Sequence, residues 1–405
     1  MKRLFASCCA GLCLAAGGAA YAQSSTNFNV TIGGDAFFEA GYVSQDKDAG
    51  LRAIEVRNRY RLVITPSAKA DNGLEYGGRI RIRANGGDRT TDADRAFMYA
   101  QGSFGTVRAG VVNPYSDDVL ALMQGPLDYR VLAIIDPALS FTGPTSSGGL
   151  PGAQTVGAGG VQGADTATLY GNHSSLSYRH LMLAGVNTKL VYYSPRFSGV
   201  QFAATYTPRT DSSNTDVNRA KANSVGATAV QGVFTDVVET AVSYNQAFGA
   251  LTVKAFAELQ AGRAADSSAN PAGFKDLRAW QVGGQIGYGA FALGAGYLDL
   301  GQAGQSKAAA ALREKGSLWH VAGQYRSGPL AVGLGYQRGQ DAGSLTAAGG
   351  RRLDIYDVGL MYTVAPGLNV GAEYDYFRAR SDLSTATLDR NDKGSIVMLR
   401  SVLVF

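Results

Sequence analysis

The stretch Leu368-Asn369-Val370-Gly371-Ala372-Glu373-Tyr374-Asp375-Tyr376 alternates without a break. Leu368, Val370, Ala372, Tyr374 and Tyr376 are apolar or aromatic; Asn369, Gly371, Glu373 and Asp375 are polar or glycine. Successive side chains of a β-strand point to opposite faces, so this segment reads as a strand with one greasy face and one wet or empty face. The pattern recurs upstream. Leu330, Val332, Leu334 and Tyr336 alternate with Ala331, Gly333, Gly335 and Gln337; Trp280, Val282, Ile286 and Tyr288 with Gln281, Gly283, Gln285 and Gly287; Val200, Phe202, Ala204 and Tyr206 with Gln201, Ala203 and Thr205.

Extended to both ends of the chain, the period of two predicts sixteen strands, near 27–43, 51–65, 73–84, 94–103, 105–112, 187–194, 199–207, 237–246, 250–260, 277–288, 290–300, 317–327, 330–340, 352–364, 368–380 and 394–405. The connections alternate between short and long. The seven short ones include Ala247-Phe248-Gly249, Gly289, Ser327-Gly328-Pro329 and Ala365-Pro366-Gly367; the longest of them is 66–72. The eight long ones are 44–50, 85–93, 113–186, 208–236, 261–276, 301–316, 341–351 and 381–393. An even number of antiparallel strands, with short turns at one end and long loops at the other, is the plan of an all-β transmembrane barrel. Hydrocarbon offers no partner to backbone N–H and C=O groups, so a sheet that spans it must close on itself. The greasy face then looks out to lipid and the polar face looks in, and inward glycines keep a lumen open. A soluble sandwich also alternates, but its loops do not sort by length; a solenoid would show a fixed short repeat.

Composition agrees. The 405 residues include 53 Gly, about 13% against a usual 7%, but only 11 Pro, so the low-complexity disorder signature is absent. The net charge of +5 is mild for this length and speaks against a nucleic-acid partner. Met1–Ala22 reads as a secretory signal: Lys2 and Arg3, an apolar run to Ala20, and Ala20-Tyr21-Ala22 as the cleavage site. The expected organisation is therefore 1–22 signal peptide and 23–405 barrel. Cys8, Cys9 and Cys13 are the only cysteines and leave with the signal, so the exported chain has neither disulfides nor thiolate chemistry.

The last strand, Gly394-Ser-Ile-Val-Met-Leu-Arg-Ser-Val-Leu-Val-Phe405, ends on an aromatic. Two internal stretches stand out as well: Gly102-Ser-Phe-Gly-Thr-Val-Arg-Ala-Gly110 and Tyr193-Ser-Pro-Arg-Phe-Ser-Gly-Val-Gln-Phe-Ala-Ala-Thr-Tyr206. In that order and spacing, the three resemble the fourth-to-fifth-strand hairpin, a later hairpin and the terminal strand of the general porins of Gram-negative outer membranes, which are trimers of sixteen-stranded barrels. The resemblance covers essentially the whole exported chain. It implies passive diffusion of small hydrophilic solutes and ions, a homotrimer in outer-membrane lipid and lipopolysaccharide, and a C-terminal Phe405 that the barrel insertion machinery reads. It also implies that the long connection 113–186 folds into the lumen and constricts it, although no Pro-Glu-Phe-Gly-Gly-type stretch occurs there and 174–186 has strand character of its own.

The residues that would govern passage are charged. Arg57, Arg59 and Arg61 share one face of the second strand, and Arg79, Arg81 and Arg83 one face of the third, each against apolar residues on the other face; Arg95 and Arg108 extend the set. A charge facing lipid costs about 2–4 kcal/mol at the midplane, so the arginines are expected to point inward. In 113–186, Asp117, Asp118, Asp128 and Asp136 are the acids expected to oppose them, which would set a transverse field across the constriction. The arginine excess points to an anion preference.

No catalytic constellation can be assembled. His173, His180 and His320 are the only histidines and form no metal pair, and no phosphate loop or nucleophile elbow occurs in a fitting context. No metal or cofactor is called for; acidic loop clusters could hold Ca²⁺, but their spacing does not specify a site. Two alternatives to a general pore stay open: a substrate-selective channel of the same fold, and a structural or adhesive surface barrel.

Overall fold

The computed structural model describes residues 28–47, 51–84, 91–116, 141, 181, 183–222, 233–266, 271–307, 314–341, 349–382 and 391–405. The chain runs through β1 (Asn29–Gln45), β2 (Ile54–Lys69), β3 (Glu75–Ala84), β4 (Thr91–Gly102), β5 (Gly105–Val112), β6 (Asn187–Tyr193), β7 (Val200–Arg209) and β8 (Phe234–Phe248). It continues through β9 (Leu251–Ala264), β10 (Leu277–Tyr288), β11 (Phe291–Gly301), β12 (Gly316–Ser327), β13 (Leu330–Asp341), β14 (Arg351–Ala365), β15 (Leu368–Ser381) and β16 (Asp392–Val404). Every strand pairs with its neighbours in sequence, and β1 pairs antiparallel with β16, so the sheet closes into a barrel with no free edge. At the seam, Gly34 N–H donates to the Phe405 carbonyl at 2.8 Å and Phe405 N–H donates to Gly34 at 3.1 Å.

The two faces differ as the lipid phase requires. Exposed large side chains such as Leu293, Leu334, Leu360 and Leu399 lie on the outer face, whereas Glu39, Glu239, Gln281 and Gln337 are buried on the inner one. Aromatic rings form two belts on the outside, at the levels where rings with polar tips meet headgroups. Phe291 and Tyr325, 4.8 Å apart, belong to the short-turn belt with Tyr244, Phe248, Tyr288 and Tyr362. The long-loop belt runs Trp319–Tyr336 at 5.0 Å, Tyr336–Tyr356 at 4.8 Å and Tyr356–Tyr376 at 6.2 Å. Tyr374 lies between the belts, near mid-strand.

Several strands extend beyond their sequence limits. β2 runs through Pro66 to Lys69, so its turn begins at residue 70 rather than 66. Proline lacks the ladder donor, but near a strand end the loss is a single bond. Of 174–186, the described residues 181 and 183–186 lie outside any strand, the latter at a turn that leads into β6; residues 174–180 and 182 are outside the described residues, as is the expected signal 1–22.

The inner face is not uniformly polar, in contrast to the sequence expectation. Phe234, Val237, Leu277, Leu298 and Leu318 form an apolar patch toward the long-loop end, and Leu181, Leu183 and Ala184 of the 113–186 connection pack on it. Leu353, Ile355, Phe377, Ile396 and Met398 form another, contacted by Phe141. These patches explain why the described parts of that connection lie inside the barrel: apolar side chains gain about 1.5–3 kcal/mol each on leaving water, and here the inner wall receives them.

Candidate functional site

In the β1–β2 ladder Glu39 lies opposite Arg57, Phe37 opposite Arg59 and Asp35 opposite Arg61, which puts all six side chains on the inner face. Glu39, with a fully buried carboxylate, accepts from Arg57 at 2.5 Å and, across the seam, from Arg400 at 2.5 Å. Asp35 accepts from Arg59 at 2.9 Å and from Arg61 at 2.6 Å. Aromatic faces hold the same guanidinium groups, Arg59 lying 4.6 Å from the Phe37 ring centre and Arg57 5.1 Å from that of Phe141. Gly41 makes room here, because a Cβ at that position would meet the Phe141 ring at 2.8 Å.

The wall continues over β3–β5. Asp94 forms a bidentate pair with Arg81 at 2.7 and 2.8 Å and also lies 3.3 Å from Arg83 and 3.8 Å from Arg95. A register shift between Arg81 and Ile82 re-aims β4 so that Asp94 reaches this cluster. Arg95 also donates to Asn113, at the start of the long connection. Arg108 lies over Tyr193 at 4.9 Å and over Phe97 at 5.5 Å. Arg79 and Arg108 share a recess of about 200 Å³ with Thr65, Glu75, Tyr99 and Thr106.

All eight arginines singled out by sequence are thus brought together on adjacent strands. Their partners Asp35, Glu39, Asp94 and Arg400 were not singled out, and the signal for them was weaker. Asp35 and Glu39 stand in phase on β1, but recognising them as partners requires the β1–β2 register and the β1–β16 seam. Asp117, Asp118, Asp128 and Asp136 lie outside the described residues.

The ends of the 113–186 connection are held against the far wall. Tyr115 N–H donates to Glu239 at 3.4 Å, and Ser116 Oγ donates to the Leu181 carbonyl at 2.8 Å. Leu181 N–H donates to Gln281 at 2.9 Å, and Gln260 Nε2 donates to the Leu181 carbonyl at 3.3 Å. The inner residues of that wall are sealed: Glu239, Glu258, Gln281 and Gln337 expose 1% or less. The arginines are not, with side-chain exposures of 27% for Arg57, 29% for Arg59 and 39% for Arg83.

The family described as Gram-negative porin matches residues 8–382. No curated protein matches the chain significantly. Among solved structures, a loop-deletion mutant of OmpT, an outer membrane protein of Vibrio cholerae, aligns with a TM-score of 0.55 at 16% identity, over 93% of this chain and 99% of that one. A triple mutant of Rhodopseudomonas blastica porin aligns with a TM-score of 0.51 at 15% identity, over 93% and 100%. At such identities the likeness speaks for the fold.

Proposed function

The chain belongs to the Gram-negative porin family, and from that premise we propose that it is a passive outer-membrane channel for small hydrophilic solutes and ions, narrowed by its 113–186 connection and lined on one side by arginines. The observation that carries this reading is the contrast in exposure on the inner face: the guanidinium groups of β2 and β3 meet water while the wall of β8–β13 is covered. Arginine suits such a wall because its charge persists under crowding and its planar fork pairs with two oxygens at once. Arg57, Arg59, Arg61, Arg79, Arg81, Arg83, Arg95 and Arg108 outnumber the carboxylates among them, which favours anions. Asp117, Asp118, Asp128 and Asp136 on the connection supply the opposing charge. The same reading includes a cleaved signal at 1–22, a homotrimer, surrounding lipid and lipopolysaccharide, and insertion directed by Phe405.

Purified protein in planar bilayers should give discrete conductance steps, and in a salt gradient a reversal potential of anionic sign. Absence of steps would leave a structural or adhesive barrel; a cationic sign would place the selectivity on the connection's acids.

The recess that holds Arg79, Arg108, Glu75 and Thr65 favours a second reading, a substrate-selective channel, since it offers both charges and hydroxyls to a polar solute. Liposome swelling with sugars of increasing size separates the two. A smooth fall of rate with size supports the general pore, and one solute far above that line supports selectivity.

A further inference from the structure

At the short-turn end of the inner wall, the ladders of β3–β5 lay out the recess as a grid. Its lowest row runs Glu75, Gln101 and Thr106; the next runs Gly77, Tyr99 and Arg108; the third sets Arg79 against Phe97. Alternation puts all of them on the inner face. Gly77 keeps the floor open, since a Cβ there would press on the Pro66 carbonyl and meet the Tyr99 ring at 3.1 Å. The rings of Tyr193 and Phe97 hold the Arg108 guanidinium in place. Around the floor, Thr65, Gln101 and Thr106 offer hydroxyl and amide groups to a space of about 200 Å³.

The recess carries both signs of charge, and they stand apart. Two guanidinium groups lie at one end and the Glu75 carboxylate at the other. The Tyr99 hydroxyl donates to Glu75 at 3.3 Å, and among the described residues no cation pairs with that carboxylate, although Lys69 faces it across the β2–β3 ladder. On the wall above, by contrast, Asp35, Glu39 and Asp94 all lie against arginines. The row of Arg108 is two strand steps from that of Glu75, about 7 Å, and the row of Arg79 is four, about 13 Å. A plain anion drawn to the arginines meets repulsion from Glu75, and an uncharged sugar uses neither charge. A solute with an ammonium at one end and a carboxylate at the other uses both. A single amino acid is too short to do so, whereas two or three extended residues at about 3.3–3.6 Å each span about 7–10 Å.

We propose that the recess binds short zwitterionic peptides, two or three residues long. The ammonium sits on Glu75, the carboxylate on Arg108 and Arg79, and the peptide group between them lies over Gly77, within reach of Tyr99, Gln101 and Thr106. Guanidinium groups grip a carboxylate bidentately. The short turns of an outer-membrane barrel face the periplasm, so this is the last station before release. Both charges belong to one wall, so the site does not depend on the acids of the 113–186 connection. The proposal rests on the channel reading and gives its selective form a substrate class.

The test records single channels of the full-length barrel in planar bilayers, with trialanine, N-acetyl-trialanine and trialanine amide as probes. Trialanine should block the current of the wild type at a concentration about tenfold lower than either capped peptide, because each cap removes one charge-assisted bond. E75Q should lose the preference for trialanine over the N-acetyl form and keep the preference over the amide. R79Q should weaken the preference over the amide and keep the preference over the N-acetyl form. Steps that all three peptides block alike, or one and the same loss in both variants, overturn the site and leave the channel standing. Absence of steps overturns the channel reading and the site with it. If a variant fails to fold, the wild-type comparison of the three peptides decides alone.

Discussion

Glu39 is a single carboxylate that neutralises two arginines from strands at opposite ends of the chain, Arg57 and Arg400. It is fully buried, so its removal strands two guanidinium groups against a wall that cannot hydrate Arg400 well. Glu39→Ala is expected to cost about 3–5 kcal/mol, the usual penalty for breaking a buried pair from one side, as urea unfolding in lipid vesicles would report. Arg59→Ala should behave oppositely. Its pair with Asp35 is partly wet, so stability should change by less than about 1 kcal/mol, while the reversal potential moves toward cations. The arginines were legible in the sequence because three of them alternate on one strand and three on the next. Asp35, Glu39 and Asp94 were not, since each acquires its role from a register, a bulge or a seam rather than from its own neighbourhood.

At the scale of the strand, the period of two located all sixteen elements because each has one face in hydrocarbon. Their ends were less legible: β2 passes through Pro66, and β8 starts at Phe234, earlier than alternation suggested. The tight hairpin after β4 was readable from Gly102-Ser-Phe-Gly105. Gly105 has φ +107°, and a Cβ there would press on the Tyr193 carbonyl, so glycine is required on two counts. Apolar residues on the inner face depart from the expected polar lining, because Leu277, Leu298 and Leu318 serve the incoming connection rather than lipid. The outer face makes its own prediction. Leu334 is 65% exposed between the two aromatic belts. Leu334→Arg should cost about 2–4 kcal/mol in vesicles, whereas Gln340→Glu, a charge placed beyond the belt on the same strand and opposite Arg352, should cost little.

At the scale of the whole molecule, barrel closure and the sorting of loops by length were legible from strand count alone, while the path of 113–186 was not, because its described residues are placed by side chains on strands far apart in the sequence. We predict that the folded barrel resists SDS at room temperature and shifts in electrophoretic mobility on boiling. A form that migrates identically before and after heating would count against a closed sheet. Deleting Phe405 should lower the yield of the heat-shifting form, since its carbonyl and N–H both bond to Gly34 and its ring lies 5.7 Å from that of Tyr60. That seam carries a temporal consequence. The pair Arg400–Glu39 joins positions 361 residues apart, so the strand made first waits for the strand made last. Until then every partial sheet has two bare margins, and entropy charges most for the final stitch. A chain lost to a premature stop codon is thus an unfinished ring with adhesive ends, which the cell must shield or destroy before it meets another of its kind.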